Sequence, residues 1–186
     1  MNHNKLISVL LAALFAVLLM GCTAQKPADG SDKEKATAGV ANPVVTYDSL
    51  AKAEKAAGFG FTVPEGVSID GEDYAQYYWS TINKDLIEVR YGEEGDEVAY
   101  MRKSPLGASK ESDISGDYNV YDDVDIKDVI LEDGRDATVM LKGKDGKYYV
   151  AIWQLKGLKD NGVWNYAIGV RGMEKGDLLE LAKMVE

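Results

Sequence analysis

Cysteine and histidine are almost missing from this chain, and proline is scarce. Its 186 residues include one Cys, one His and four Pro. His3 and Cys22 both fall near the start, so residues 23–186 contain neither type. That stretch has no imidazole base, no thiol nucleophile and no disulfide. Ser-His-Asp and Cys-His hydrolases are excluded, because each needs a ring nitrogen beside its nucleophile. Zinc sites built from His and Cys are excluded as well. So are haem held by His or Cys and iron–sulfur clusters held by Cys. An enzyme here would have only carboxylates, Lys, Tyr or a hard cation, and no cofactor is expected. Positive charge is also short: 21 Lys and Arg face 31 Asp and Glu, for a formal net charge of −10. Nucleic-acid phosphates require clustered Lys and Arg, so a nucleic-acid partner is not expected. Anionic lipid gains no electrostatic grip on such a surface either.

The long apolar run lies at the amino terminus. Met1 to Lys5 is polar, Ile7 to Met20 is nearly all Leu, Ala, Val and Phe, and Gly21-Cys22 follows. An export signal has this three-part pattern, and the run falls short of the about 20 apolar residues of a spanning helix. Leu19-Met20-Gly21-Cys22 resembles the lipobox of bacterial lipoproteins. Leu19 and Gly21 match the usual choices, whereas Met20 stands where a small residue is commoner. The resemblance implies cleavage before Cys22, lipidation of its sulfur (palmitate is one such chain) and anchoring at the extracytoplasmic face of the cell membrane. Without the leader's one lysine, the net charge becomes −11.

Three regions follow: a signal peptide over 1–21, the lipidated Cys22 with a linker to residue 41, and one ordered domain over 42–186. Thr23 to Ala41 holds no large apolar residue except Val40, so it cannot bury enough surface to fold alone. Nineteen flexible residues reach about 25 Å.

Within the domain, residues 49–57 read as a short helix, with Asp48 or Ser49 as N-cap and Gly58 as stop. Phe59 and Phe61 are expected to pack beneath it, and Val63 to Gly66 to turn. Strand patterns then cover 76–82, 87–91, 97–102, 119–124, 127–131, 137–141, 148–155 and 163–170. Ile87, Val89 and Tyr91 alternate strictly inward. Asp133-Gly134, Asp145-Gly146 and Asn161-Gly162 supply hairpin turn chemistry, because the turns they favour need positive φ. Glu174 to Val185 reads as a helix with Leu178, Leu181, Ala182 and Val185 on one stripe. The expected fold is α+β: an antiparallel meander of about seven strands with a helix at each end.

Three stretches of the sequence, taken together, resemble an uncharacterised domain of lipoproteins and extracytoplasmic regions in Clostridia and related Firmicutes. They are Asn42 to Val45 with Leu50 to Phe59, then Val63-Pro64, then Asp113 to Tyr118. The resemblance spans about residues 42–186. It implies a surface-exposed, membrane-tethered domain, in some relatives beside sensor modules, and it carries no catalytic residues.

The candidate sites each have a plainer reading. Asp122, Asp123 and Asp125 could offer carboxylates to Ca²⁺, but EF-hand spacing is absent, and charges on a strand edge deter unwanted pairing. Asp113 to Tyr118 could recognise a partner or simply turn the chain through Asx and Ser contacts. Tyr77, Tyr78, Trp79, Tyr148, Tyr149, Trp153, Trp164 and Tyr166 cannot all be core, since neighbours on a strand face opposite ways. Tyr78, Trp79, Tyr148 and Trp153 are the candidate ligand-binding residues. The expected function is a lipid-anchored, non-enzymatic binding or sensory-accessory domain whose partner is an envelope protein, peptide or glycan. The alternatives are a carboxylate-dependent, Ca-assisted envelope hydrolase, needing paired acids in a cleft with one raised pKa, and a carrier of an apolar ligand, needing an internal cavity.

Overall fold

A computed structural model describes residues 35–37 (backbone only), 44–107, 114–157 and 162–186. The leader, Cys22, most of the linker, Asn42-Pro43, Asp113 and Asp160-Asn161 lie outside the described residues. The strands, in chain order, are β1 (Lys35–Thr37), β2 (Val44–Tyr47), β3 (Gly66–Ile69), β4 (Glu72–Ile82), β5 (Leu86–Glu93), β6 (Asp96–Pro105), β7 (Asp123–Ile130), β8 (Asp136–Lys144), β9 (Lys147–Lys156) and β10 (Val163–Met173). The helices are α1 (Leu50–Ala57) and α2 (Lys175–Lys183).

The class is α+β, and the sheet is larger than expected. Among the described residues nine strands run in the order β1-β2-β4-β5-β6-β10-β9-β8-β7, and β3 pairs with β4 beside that path. The expectation of about seven strands missed three short ones, β1, β2 and β3. β3 joins β4 through Asp70-Gly71, both at positive φ (53° and 84°), which gives the two-residue hairpin turn its handedness. β1 falls in the stretch read as linker. An extended backbone can pair along the open edge of β2 without burying large side chains.

Nor is the sheet one meander. β4-β5-β6 and β7-β8-β9-β10 are two antiparallel meanders, and β10 returns to lie against β6. The chain therefore crosses from the middle of the sheet to its far edge between β6 and β7. The strands expected at 119–124 and 127–131 are replaced by the single strand β7, because period-2 pairing with β8 runs unbroken from Asp123 to Ile130. Residues 116–120 hold no regular structure. Within them the Ser115 Oγ accepts from the Asp117 N–H at 3.2 Å, and Asp117 Oδ1 from the Asn119 N–H at 2.8 Å. At the residues described, the stretch from Asp113 forms a local Ser/Asx turn.

Both helices pack on one face of the sheet. Gly58 ends α1 in the left-handed conformation (φ 82°), its N–H donating to the Glu54 carbonyl. Ser49 sits at the N-cap in extended conformation but donates its hydroxyl to Asp48 instead of capping. α2 buries Leu178, Leu181 and Ala182 and stops at Lys183, short of the expected Val185. Glu186 instead pairs with Thr62 through two backbone hydrogen bonds of 2.8 and 3.0 Å. Beneath the helices Ile87, Val89 and Tyr91 are buried as the alternation requires, with Met101, Leu141 and Ile168 beside them.

The opposite face is half covered. Asn165, Ala167 and Gly169 on β10 are buried there too, so this junction strand is enclosed on both sides. Tyr100 lies flat over Gly169, and its hydroxyl donates to the Ser115 carbonyl at 2.8 Å. Arg102 donates to the Ile114 carbonyl at 3.1 Å and to the Ser115 carbonyl at 2.5 Å. It also meets the carboxylate of Glu88, which is only 1% exposed and takes Arg90 as its second partner at 2.7 Å. The guanidinium of Arg102 stacks on Tyr100 and that of Arg90 on Tyr78. This ion cluster pins the crossing chain to the sheet.

Candidate functional site

An aromatic cleft of about 660 Å³ opens on the helical face, where the end of α1 meets β6 and β10. The sequence builds it from three pieces. Gly58 turns the chain out of α1, and Phe59-Gly60-Phe61-Thr62 forms one wall. Glu54 fixes that wall by accepting the Phe61 N–H at 2.6 Å. β10 places Trp164 and Tyr166 two residues apart and hence on one face, and β6 places Lys103 opposite Tyr166. Arg135, after β7, closes the far end. It donates to the Lys156 carbonyl at 3.1 Å and pairs with Asp133.

The side chains form a stepped floor. The Phe59 and Trp164 rings are 4.7 Å apart and tilted, and Trp153 stacks on Tyr166 at 5.3 Å. The Lys103 ammonium lies 5.2 Å from the ring centres of both Trp164 and Tyr166, within cation–π range. Burial pushes the Tyr166 phenol up to about 12, with Arg135 opposing the shift and Glu186 adding to it. The phenol therefore stays protonated at neutral pH. The cleft thus offers ring faces, a cation above them, a guanidinium and the carboxylates of Glu54 and Glu186. Such groups bind by stacking and ion pairing. They supply no nucleophile with an adjacent base.

The four residues expected to bind ligand are not brought together. Trp153 is buried at 2% exposure beneath Tyr166, so it is core and not binding surface. Trp79 and Tyr148 pack against the same core from the helical face. Tyr78 lies on the opposite face under Arg90. Alternation separates Tyr78 from Trp79 as observed, but a register shift between β8 and β9 breaks it between Tyr148 and Trp153, and it cannot say which face is enclosed. Trp164 and Tyr166 were visible as aromatics, and Phe59 only as packing for α1. Lys103 and Arg135 were missed. The one available signal was that Lys103 shares strand parity with the inward Met101.

The acidic candidates do not converge. Asp122 and Asp123 are exposed. Asp125 pairs with Lys175 at 2.7 Å and Lys127 at 3.4 Å, and the Lys175 hydrogen bond holds its carboxyl below the usual range. Among the described residues no three acidic, His or Cys side chains are placed to hold a metal ion. A second cleft of about 460 Å³, between the β3–β4 turn and α2, is lined by Asp70, Glu174, Asp177 and Glu180. Lys147 meets Glu174 there at 2.9 Å and Asp70 at 3.9 Å. Asp48 and Glu97 are shifted downward, by Lys52 and by backbone hydrogen bonding respectively. Downward is the wrong direction for a general acid. Compared with protein-family models, curated proteins and solved structures, the chain matches none.

Proposed function

We propose that this protein is a lipid-anchored lipoprotein of the extracytoplasmic membrane face, whose domain binds a ligand in the aromatic cleft without transforming it. The cleft carries the reading. Its volume suits a small ligand or a peptide or glycan segment, and its rings and paired charges can hold one. Cys22, at the end of the lipobox-like stretch, is the lipidation site in this reading. A carboxylate hydrolase is less well supported, because the carboxylates with resolved shifts are Asp48, Glu97 and Asp125, all shifted down. A carrier of an apolar ligand is less well supported because large side chains fill the layer between sheet and helices.

Two measurements test it. Cells fed an alkynyl palmitate are expected to label the wild-type chain and not Cys22→Ser; equal labelling would remove the anchor from the proposal. Tryptophan fluorescence is then followed while the full chain is titrated with cell-wall glycan fragments and short peptides. A saturating change is expected with at least one probe, and Trp164→Ala should weaken it about tenfold, the loss of a central aromatic anchor. Binding indifferent to Trp164→Ala and Lys103→Ala would place the ligand elsewhere.

A further inference from the structure

The strand at the far edge of the sheet has its amphipathic pattern reversed over most of its length; only Val129 packs toward the core, and only Asp128 interrupts the exposed apolar row. On β7 the register places Asp123, Asp125 and Lys127 on the helical face, opposite Gly143, Leu141 and Val139 of β8. Val124, Ile126 and Ile130 point to the other face, where they are 60%, 60% and 64% exposed. The apolar row continues inward through Met140, opposite Ile126, and Ile152, opposite Met140. A groove of about 670 Å³ lies along this row. β7 ends the sheet path and pairs with β8 alone among the described strands. A strand that only closed off an edge would carry apolar residues toward the core and charge toward water. Here the domain's own core gains nothing from three β-branched residues.

We propose that this edge accepts a strand from a basic partner protein in which apolar residues alternate with Lys or Arg. Along its eight residues β7 presents backbone N–H and C=O groups outward at alternate positions, and an added strand pairs with them. The apolar side chains of that strand extend the strip of Val124, Ile126 and Ile130. Its basic side chains fall on the helical face beside Asp123 and Asp125. Charge selects this occupant over others. Asp122, Asp123, Asp128 and Asp136 are exposed around the strip, against Lys127 and Lys142. A second copy brings the same acidic rim and a net charge of −10, and an anionic bilayer brings like charge. A basic strand meets complementary potential.

The test is calorimetric titration of the full chain with three synthetic peptides, each matched to the eight residues of β7. One alternates lysine with valine, one alternates glutamate with valine, and one holds the lysines and valines in separate blocks. The alternating lysine peptide is expected to bind and to slow amide exchange along β7. Ile126→Asn and Asp123→Asn should each weaken it about tenfold, as loss of a contact at the centre of an interface does. Both positions are exposed, so an unchanged melting temperature verifies that the variants fold. Equal binding of either control peptide overturns the proposal. So does indifference to both substitutions, or exchange protection away from β7. Self-association that Ile126→Asn abolishes would instead assign the strip to a second copy. Binding to phosphatidylglycerol vesicles that the same variant abolishes would assign it to lipid.

Discussion

Gly169 and Glu88 stabilise the far face of the sheet by opposite means, one by having no side chain and one by burying a charge. A methyl group on Gly169 would overlap the Tyr100 ring, which cannot retreat while its hydroxyl holds Ser115. Gly169→Ala is therefore expected to cost about 2–3 kcal/mol through overpacking, read as a lower denaturation midpoint. Glu88→Ala leaves the Arg102 guanidinium without its anion and Arg90 with only the exposed Glu97. A loss of about 3–5 kcal/mol is expected in equilibrium unfolding. Replacing Glu88, Arg90 and Arg102 together by apolar residues should cost less than Glu88→Ala alone, because no unpaired charge then remains. Tyr166 sets a pH limit. Its phenol ionises near 10 in the unfolded chain and at about 12 in the fold. The folded state thus binds more protons between those values. The stability contributed is complete below pH 10 and is lost as pH rises toward 12. Tyr166→Phe should flatten alkaline unfolding by about 2–3 kcal/mol over that window, checked by melts at stepped pH.

The elements differ in how firmly they are held, and hydrogen exchange should rank them. β5, β6 and β10 lie inside the sheet with buried residues on both sides, whereas β2 and β7 lie toward its ends. Amides of β10 are expected to exchange last and those of β7 first; similar rates in both would contradict this order. Much of this layout is legible locally. Asp145-Gly146 predicts its hairpin because both residues must take positive φ, and they do, at 54° and 80°. Ile87, Val89 and Tyr91 announce their buried face by alternation alone. Asp70-Gly71 carries the same turn chemistry, but the strand before it has only Val67 and Ile69 on its buried face, too few to show a period. Val120 and Tyr121 look β-forming, yet the hydrogen bonds that Asp117 accepts from the Asn119 N–H and the Tyr121 hydroxyl hold a turn instead. The pairing of β6 with β10 joins residues far apart in sequence, so no local pattern reveals it. The cleft inherits that limit, because Lys103 and Tyr166 meet only through this pairing. Glu88 is concealed in the same way: parity turns it away from the core, and only the crossing chain encloses it.

At the scale of the whole molecule the excess of acid is the dominant property. Thirty-one acidic side chains repel across a small body that has only 21 cations to offset them. Salt should therefore stabilise the fold. Moving from about 0.01 M to about 0.15 M ionic strength shortens the Debye length from about 30 Å to about 8 Å. A rise of a few degrees in melting temperature is expected, since exposed ion pairs lose little on screening; a fall would mean that the pairs outweigh the repulsion. The strand order gives this acidic body a direction. β1, the first described strand, and β7, which pairs with β8 alone among the described strands, stand at opposite ends of the path. Eight steps of about 4.8 Å separate them, roughly 38 Å measured along the sheet. The sheet therefore has two unlike ends: the short first strand closes one, and the reversed strand closes the other, as many strand spacings away as the sheet contains.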